Sequence, residues 1–147
     1  RVVVPARWED NESAETWGAE IAADWEVFSW WRLKAAYTYF HEDLKVDSIG
    51  RGMSPLHQAS LRSMLDLGSG WEFDLWPRYV DNLPSYSINS YVSLDARLGW
   101  RPKDSIEFSL VGQNLLDGRR EEGATDLLPL TATQVERAAY GKLTLRF

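Results

Sequence analysis

Cysteine is absent from this 147-residue chain, histidine occurs only twice, and no apolar run is long. Without cysteine the chain has neither a disulfide scaffold nor a thiolate metal site. Hydrophobic content is 44% and mean hydropathy -0.38, so no helix of about 20 apolar residues is present, which excludes a helical membrane protein. A β-barrel remains open, because its lipid-facing residues alternate with polar ones and the average looks soluble. The excess of negative charge, net -6, argues against nucleic acid as a partner. There is no Gly-Xaa-Ser-Xaa-Gly elbow and no phosphate loop. The opening Arg1-Val2-Val3-Val4-Pro5 has neither Met nor a leader, and reads as the start of a piece of a longer protein.

What the chain does have is aromatic residues, including eight Trp and six Tyr, and their positions carry the information. Counting back from Phe147, Leu145, Leu143, Gly141 and Ala139 alternate with Arg146, Thr144, Lys142 and Tyr140. This is a strand with one oily and one wet face, ending on an aromatic. An outer-membrane barrel closes in this way; the last strand of a soluble sandwich could share the pattern.

Six more segments alternate with period two. Residues 17–25 set Trp17, Ala19, Ile21, Ala23 and Trp25 on one face, and residues 31–39 set Trp31, Leu33, Ala35, Tyr37 and Tyr39. Residues 59–67 place Leu61, Leu65 and Leu67 opposite Arg62, Met64 and Asp66. Residues 71–79 oppose Trp71, Phe73, Leu75 and Tyr79 to Glu72, Asp74, Trp76 and Arg78, with an irregular or bulged spot expected at Pro77. Val92, Leu94, Ala96, Leu98 and Trp100 alternate with Tyr91, Ser93, Asp95, Arg97 and Gly99. Ile106, Phe108 and Leu110 form the sixth stripe, which blurs at Val111-Gly112. No amphipathic helix is evident, so the chain reads as a single all-β domain.

The connections alternate in length. Residues 26–30, 68–70 and 101–105 form short turns, whereas 41–58, 81–90 and 117–137 form long polar loops. Outer-membrane barrels sort their connections like this, with the short ones periplasmic. On the oily face, Trp25, Trp31, Trp71, Trp100 and Phe147 fall at the short-turn ends, and Trp17, Tyr37, Tyr39 and Tyr79 at the opposite ends. Such belts fit two membrane interfaces, where amphipathic rings prefer the headgroup level. A strand of about ten residues tilted about 40° climbs roughly 25 Å, the height of the apolar band. The alternative is a soluble core or a sugar-stacking platform.

The ordered set Ser54-Pro55-Leu56-His57-Gln58, Arg78-Tyr79-Val80-Asp81-Asn82-Leu83-Pro84, residues 91–102, Val111-Gly112-Gln113-Asn114-Leu115-Leu116-Asp117 and the finish from Tyr140-Gly141 to Phe147 resembles the closing strands of TonB-dependent outer-membrane receptors. The resemblance runs from Trp17 onward. It implies a transmembrane antiparallel β-barrel of 22 strands, plugged by an N-terminal domain whose short box binds the energy-coupling TonB complex. It also implies outer-membrane lipid as solvent, recognition of the strand ending at Phe147 by the barrel-assembly machinery, and uptake of a scarce small molecule such as a ferric siderophore, haem or cobalamin. A bacterial barrel keeps both termini on the periplasmic side. Seven strands put Arg1 on the other side, so residues 1–147 are expected to be the C-terminal part of such a barrel, with the plug outside this chain.

For ligand contact the outer ends of the polar faces and the long loops offer Arg78, Asp81, Asn82, Tyr86, Gln113, Asn114, Arg119 and Arg120. The pair Arg119-Arg120 could meet an anionic ferric chelate, or be balanced by Glu121-Glu122 in a solvated loop. His41-Glu42-Asp43 and His57, placed on an outer loop, lack further metal ligands at supportive spacing, so neither metal nor cofactor is expected. Glu72, Asp74, Asp95 and Glu107 share their faces with Arg62, Arg78 and Arg97, and a salt-bridge lattice explains them without a reaction. The chain is therefore read as a non-enzyme. A soluble carbohydrate-binding β-sandwich and a porin or outer-membrane enzyme are the other readings. Arginine at Leu94 or Leu98 should destabilise, whereas Ser93 should tolerate it.

Overall fold

A computed structural model describes residues 14–44, 54–123 and 133–147; the opening residues 1–5 lie outside them. Nine strands are present among the described residues: β1 (Ala14–Phe28), β2 (Trp31–Leu44), β3 (His57–Gly68), β4 (Trp71–Val80), β5 (Tyr91–Lys103), β6 (Ile106–Gln113), β7 (Arg119–Gly123), β8 (Thr133–Glu136) and β9 (Ala138–Leu145). Seven of them form one antiparallel sheet in the order β1-β2-β3-β4-β5-β6-β9, and β7 with β8 forms a separate two-stranded ribbon. Each of the seven neighbours its predecessor in the chain, apart from β9, which follows the ribbon.

The three short connections are tight turns of two residues, at Ser29-Trp30, Ser69-Gly70 and Asp104-Ser105. Turn chemistry explains the second. Gly68, Ser69 and Gly70 take φ of 79°, 53° and 78°, a left-handed run that glycine enters without a Cβ penalty. Gly70 is also pressed on the Arg101 carbonyl of β5, where a Cβ would collide with the oxygen. Register shifts sit near these turns, at Glu26/Phe28, Asp66/Gly68 and Trp100/Lys103.

The pairings test the face assignment independently of composition. Trp17 faces His41, Trp31 faces Leu65, Leu65 faces Phe73, Phe73 faces Leu98, Leu98 faces Leu110 and Leu110 faces Gly141. A slip of one residue at any ladder would have moved a whole stripe to the other side. Away from the shifts beside the turns the ladders hold one register, so the oily stripes merge into one continuous face.

That face is bare. Ile21 is 68% exposed, Trp17 60% and Leu110 59%, while the buried side chains include Ser93 and Asn114, each 3% exposed. Ile88, held beneath a Leu83–Ile88 bridge, is the one buried hydrophobic among the described residues. A β-sandwich would cover its apolar side with a second sheet. Here the buried strand side chains, Ser93 and Ser109, lie on the polar side instead, the reverse of the arrangement that water selects.

Several expectations are corrected. The expected irregular or bulged spot at Pro77 is a lapse in pairing and not a bulge: Pro77 pairs with Leu94 in unbroken register with β5. Toward β3 the pairing lapses between Ser60–Arg78 and Ser63–Leu75 but resumes in the same register, as a residue without an N–H requires. The sixth stripe runs cleanly to Gln113 across Val111-Gly112, because β9 pairs with it along that length. His41, Glu42 and Asp43 belong to β2 and His57 opens β3, so they are strand rather than loop residues. The 117–137 connection carries the β7–β8 ribbon. A single 3-10 turn, Pro84–Tyr86, interrupts the β4–β5 connection.

Candidate functional site

The polar face is an ionic surface at its short-turn half. Arg62 of β3 contacts Asp74 of β4 at 3.1 Å, and Asp74 lies 3.6 Å from Arg97 of β5. Arg97 reaches Glu72 at 3.0 Å and Glu107 of β6 at 2.6 Å. Glu107 also takes Arg101 at 3.5 Å and Arg146, just past β9, at 3.0 Å. The lattice thus stitches four strands, β3 to β6, and the residue after β9, and the sequence-level expectation of cross-strand ion pairs describes it well. Each of its carboxylates is held by arginine.

Higher on the same face, Trp76 stands among cations, with Arg78 4.6 Å and Arg62 5.7 Å from its ring. The guanidinium charges sit against the electron-rich ring, which orients them without neutralising them. Beside this cluster opens a recess of about 550 Å³ toward the long-connection end. Arg78, Tyr91, Ser93, Asp95, Gln113, Asn114 and Glu136 supply its polar lining.

The recess is braced from beneath. Arg78 donates to Asp95 Oδ2 at 2.6 Å and through Nε to Ser93 Oγ at 3.2 Å. Asp95 Oδ1 accepts the backbone N–H of Asn114 at 2.9 Å. Asn114 ends β6 in the left-handed region, φ 52°, a conformation its short polar side chain tolerates. Its amide donates to the Asp117 and Val135 carbonyls at 3.3 and 3.2 Å, fastening the ribbon over the recess.

Three sequence-level candidates, Arg78, Gln113 and Asn114, therefore meet in one place. Asp81, Asn82 and Tyr86 do not join them. Asp81 accepts from Tyr79 Oη at 3.2 Å and from the Asn82 N–H at 2.9 Å, capping the start of the β4–β5 connection. Tyr86 lies in the 3-10 turn, its N–H bonded to the Leu83 carbonyl. Arg119 and Arg120 are placed on β7 opposite Glu136 and Val135, and their side chains lie outside the described residues. Sequence reasoning missed Val135 and Glu136, since only the ribbon brings them in. Tyr91 and Ser93 were visible as polar-face neighbours of Asp95. Because Ser93 is buried under Arg78, the expected tolerance of arginine there is corrected: a second guanidinium would displace the first.

On the bare face the aromatics assemble into rows. Toward the short turns, Trp71 stacks on Trp100 at 5.5 Å and Trp100 on Phe108 at 5.8 Å, while Phe28, Trp30 and Trp31 form a second stack. Toward the long connections, Trp17 meets Tyr39 at 5.1 Å, Tyr39 meets His57 at 5.2 Å, and Tyr37 bonds His57. Tyr79 follows across Ala59 in the Tyr37 row. Trp25 faces Leu33 three residues before β1 ends, and Phe147 lies beyond β9.

No curated protein matches the chain. The family model described as TonB dependent receptor-like, beta-barrel matches residues 3–115. That span takes in β1 to β6, their aromatic rows, Arg78, Asp95, Gln113 and Asn114. An antiparallel meander with a bare apolar face and a matching family model over most of its length leads to one assignment: the chain belongs to the TonB-dependent receptor β-barrel family, whose members are receptors and transporters of the bacterial outer membrane rather than enzymes.

Proposed function

We propose that residues 1–147 are the C-terminal part of the barrel of a receptor that takes up a scarce solute, such as a ferric siderophore, across the outer membrane. The observation that carries this reading is the inversion of the sheet, with large apolar side chains bare on one side and the cross-strand ionic lattice and the buried Ser93 and Ser109 on the other. Hydrocarbon on the first side and a wet lumen on the second is the setting in which both are stable. The outer strands β1 and β9 each have an unpaired edge among the described residues, which further strands of a closed barrel would occupy.

In this reading the long connections face outward and the recess under Asn114 lies on the solute's route into the lumen. Arg78, Tyr91, Gln113 and Glu136 contact the solute, and Asp95 and Ser93 position Arg78. The aromatic rows, from Trp17, Tyr37, Tyr39 and Tyr79 to Trp25, Trp31, Trp71, Trp100 and Phe147, lie at the two lipid interfaces. The TonB complex acts through the N-terminal part of the receptor. The barrel-assembly machinery takes hold of the strand that ends at Phe147.

The test is uptake by cells carrying the parent receptor. Labelled ferric siderophores should enter in a TonB-dependent way, and Gln113→Ala with Arg78→Gln should raise the half-saturating concentration about tenfold, at equal receptor in the membrane. Uptake unaffected by both changes would remove the recess from the route. Entry of cobalamin or haem but no ferric chelate would redirect the substrate assignment.

A further inference from the structure

Alternation alone would turn Lys103 to the ionic side, because it stands an odd number of steps from Trp100 on the bare face. The register shift beside the β5–β6 turn reverses this. Trp100 faces Phe108 and Lys103 faces Ile106, so Arg101 and Pro102 of β5 stand against Glu107 alone on β6. That is a bulge, which re-aims the side chain after it. Arg101 stays on the ionic side, 3.5 Å from Glu107. Lys103 joins the row of Ile106 and Leu145 on the bare side. Among the described residues of the seven-stranded sheet it is the one Lys or Arg on that face. No ion pair joins it to Asp104, next in the turn, or to any other carboxylate among the described residues.

The next row inward is aromatic, with Trp71 stacked on Trp100 and Trp100 on Phe108. Against it opens a groove of about 510 Å³, lined by these rings, Leu110, Gly141 and Leu143. Gly141 makes the groove. It faces Leu110 across the ladder, and an added Cβ would meet nothing nearer than the Ser109 carbonyl oxygen at 4.0 Å. The glycine therefore supplies space rather than relief of strain. From Ile106 to Leu110 the strand advances about 13 Å at 3.3 Å per residue, about half the apolar band and so one leaflet.

We infer that Lys103 and the Gly141 groove form a seat for one anionic phospholipid on the outside of the barrel, at its short-turn rim. The inference rests on the membrane reading above. The phosphate lies on the Lys103 ammonium, and an acyl chain of the same molecule runs past Trp100 and Phe108 to Gly141. A zwitterionic lipid carries its own cation to its phosphate, whereas an anionic one leaves the phosphate to the lysine. A lipid, rather than a free anion, follows from continuity: cation, aromatic row and groove succeed one another within the depth of one leaflet.

The parent receptor would be reconstituted into nanodiscs of phosphatidylcholine and phosphatidylglycerol in equal amounts, and the lipid it retains counted by native mass spectrometry. Phosphatidylglycerol should be retained about fivefold over phosphatidylcholine, about what one lysine at an anionic surface supports. Lys103→Gln should bring the ratio near one, and Lys103→Arg should keep it. Gly141→Leu, which fills the groove, should lower retention of both lipids, while Ile21→Ala, on distant β1, should change neither reading. Circular dichroism checks that each variant retains its β signal. Equal retention by the unaltered receptor, or a ratio undiminished in Lys103→Gln, would overturn the headgroup site. Retention unchanged in Gly141→Leu would overturn the groove. Displacement of the lipid by millimolar inorganic phosphate would overturn the lipid source, and a receptor dimer broken by Gly141→Leu would give the groove to a second copy instead. Failure of the unaltered receptor to enter the nanodisc would overturn the membrane reading as well, and incorporation is read separately from lipid retention.

Discussion

Arg97 and Glu107 meet at 2.6 Å across β5 and β6, and the residues next to them in the chain, Leu98 and Phe108, stand exposed on the other side of the same sheet. One step along a strand separates an ionic lattice from a bare apolar surface. Such a sheet would aggregate in water through its oily side and its open edges. Placed between hydrocarbon and a wet lumen, both sides are satisfied at once.

Leu98 provides the most direct test of the faces. Leu98→Arg should destabilise the parent barrel by about 2–4 kcal/mol if it sits near mid-bilayer. Gln58→Arg, on the exposed polar face of β3, should change stability by less than about 0.5 kcal/mol. Urea unfolding in lipid vesicles measures both. Equal effects would reverse or abolish the assignment of sides.

Glu107 is the common partner of Arg97, Arg101 and Arg146. Glu107→Gln leaves three guanidiniums together without their shared anion. The expected loss is about 1–2 kcal/mol, moderated by solvent around the arginines. Added salt should narrow the difference from the unaltered protein, since screening weakens the repulsion. A salt-independent loss would point to packing instead.

At Asn114 backbone and side chain contribute separately. Asn114→Gly keeps the left-handed φ but loses the amide bonds to Asp117 and Val135, and Asn114→Ala loses both advantages. Alanine should therefore be the worse replacement, by about 1 kcal/mol. Limited proteolysis of the β6–β7 connection should speed up in both variants. Identical behaviour of alanine and glycine would show that φ is not the controlling factor.

Gly70 is predicted to resist replacement. Gly70→Ala adds a methyl where the Arg101 carbonyl of β5 already sits, at a φ of 78°. The loss should exceed about 1 kcal/mol, more than at Gly68, whose neighbourhood is open. Near-ultraviolet dichroism of the Trp71–Trp100 stack should weaken in the Gly70 variant and persist in Gly68→Ala.

The seven main strands were legible because each carries a period-two stripe, and register then had one choice that kept every stripe on the same side. The salt-bridge lattice was legible for the same reason: alternate positions of adjacent strands fall beside one another. The ribbon was not. Residues 119–123 and 133–136 are short and polar, and their pairing depends on contacts such as Asn114 to the Val135 carbonyl that no local pattern announces. Pro77 was legible as an irregular spot from its missing N–H, but not on which side: the chain keeps full register with β5 and gives up pairing only toward β3. Of the recess, Arg78 and Gln113 could be placed by strand end and side. Glu136 could not, since only the ribbon carries it there.

The unbroken register of the β4–β5 ladder has a consequence for how such a chain can change over generations. A single residue added inside β4 or β5 would turn every later side chain on that strand from hydrocarbon to water and back. Added residues in the long connection between β7 and β8 would turn none. Length variation should therefore gather in the long connections, whose length can drift while the wall of strands keeps its count.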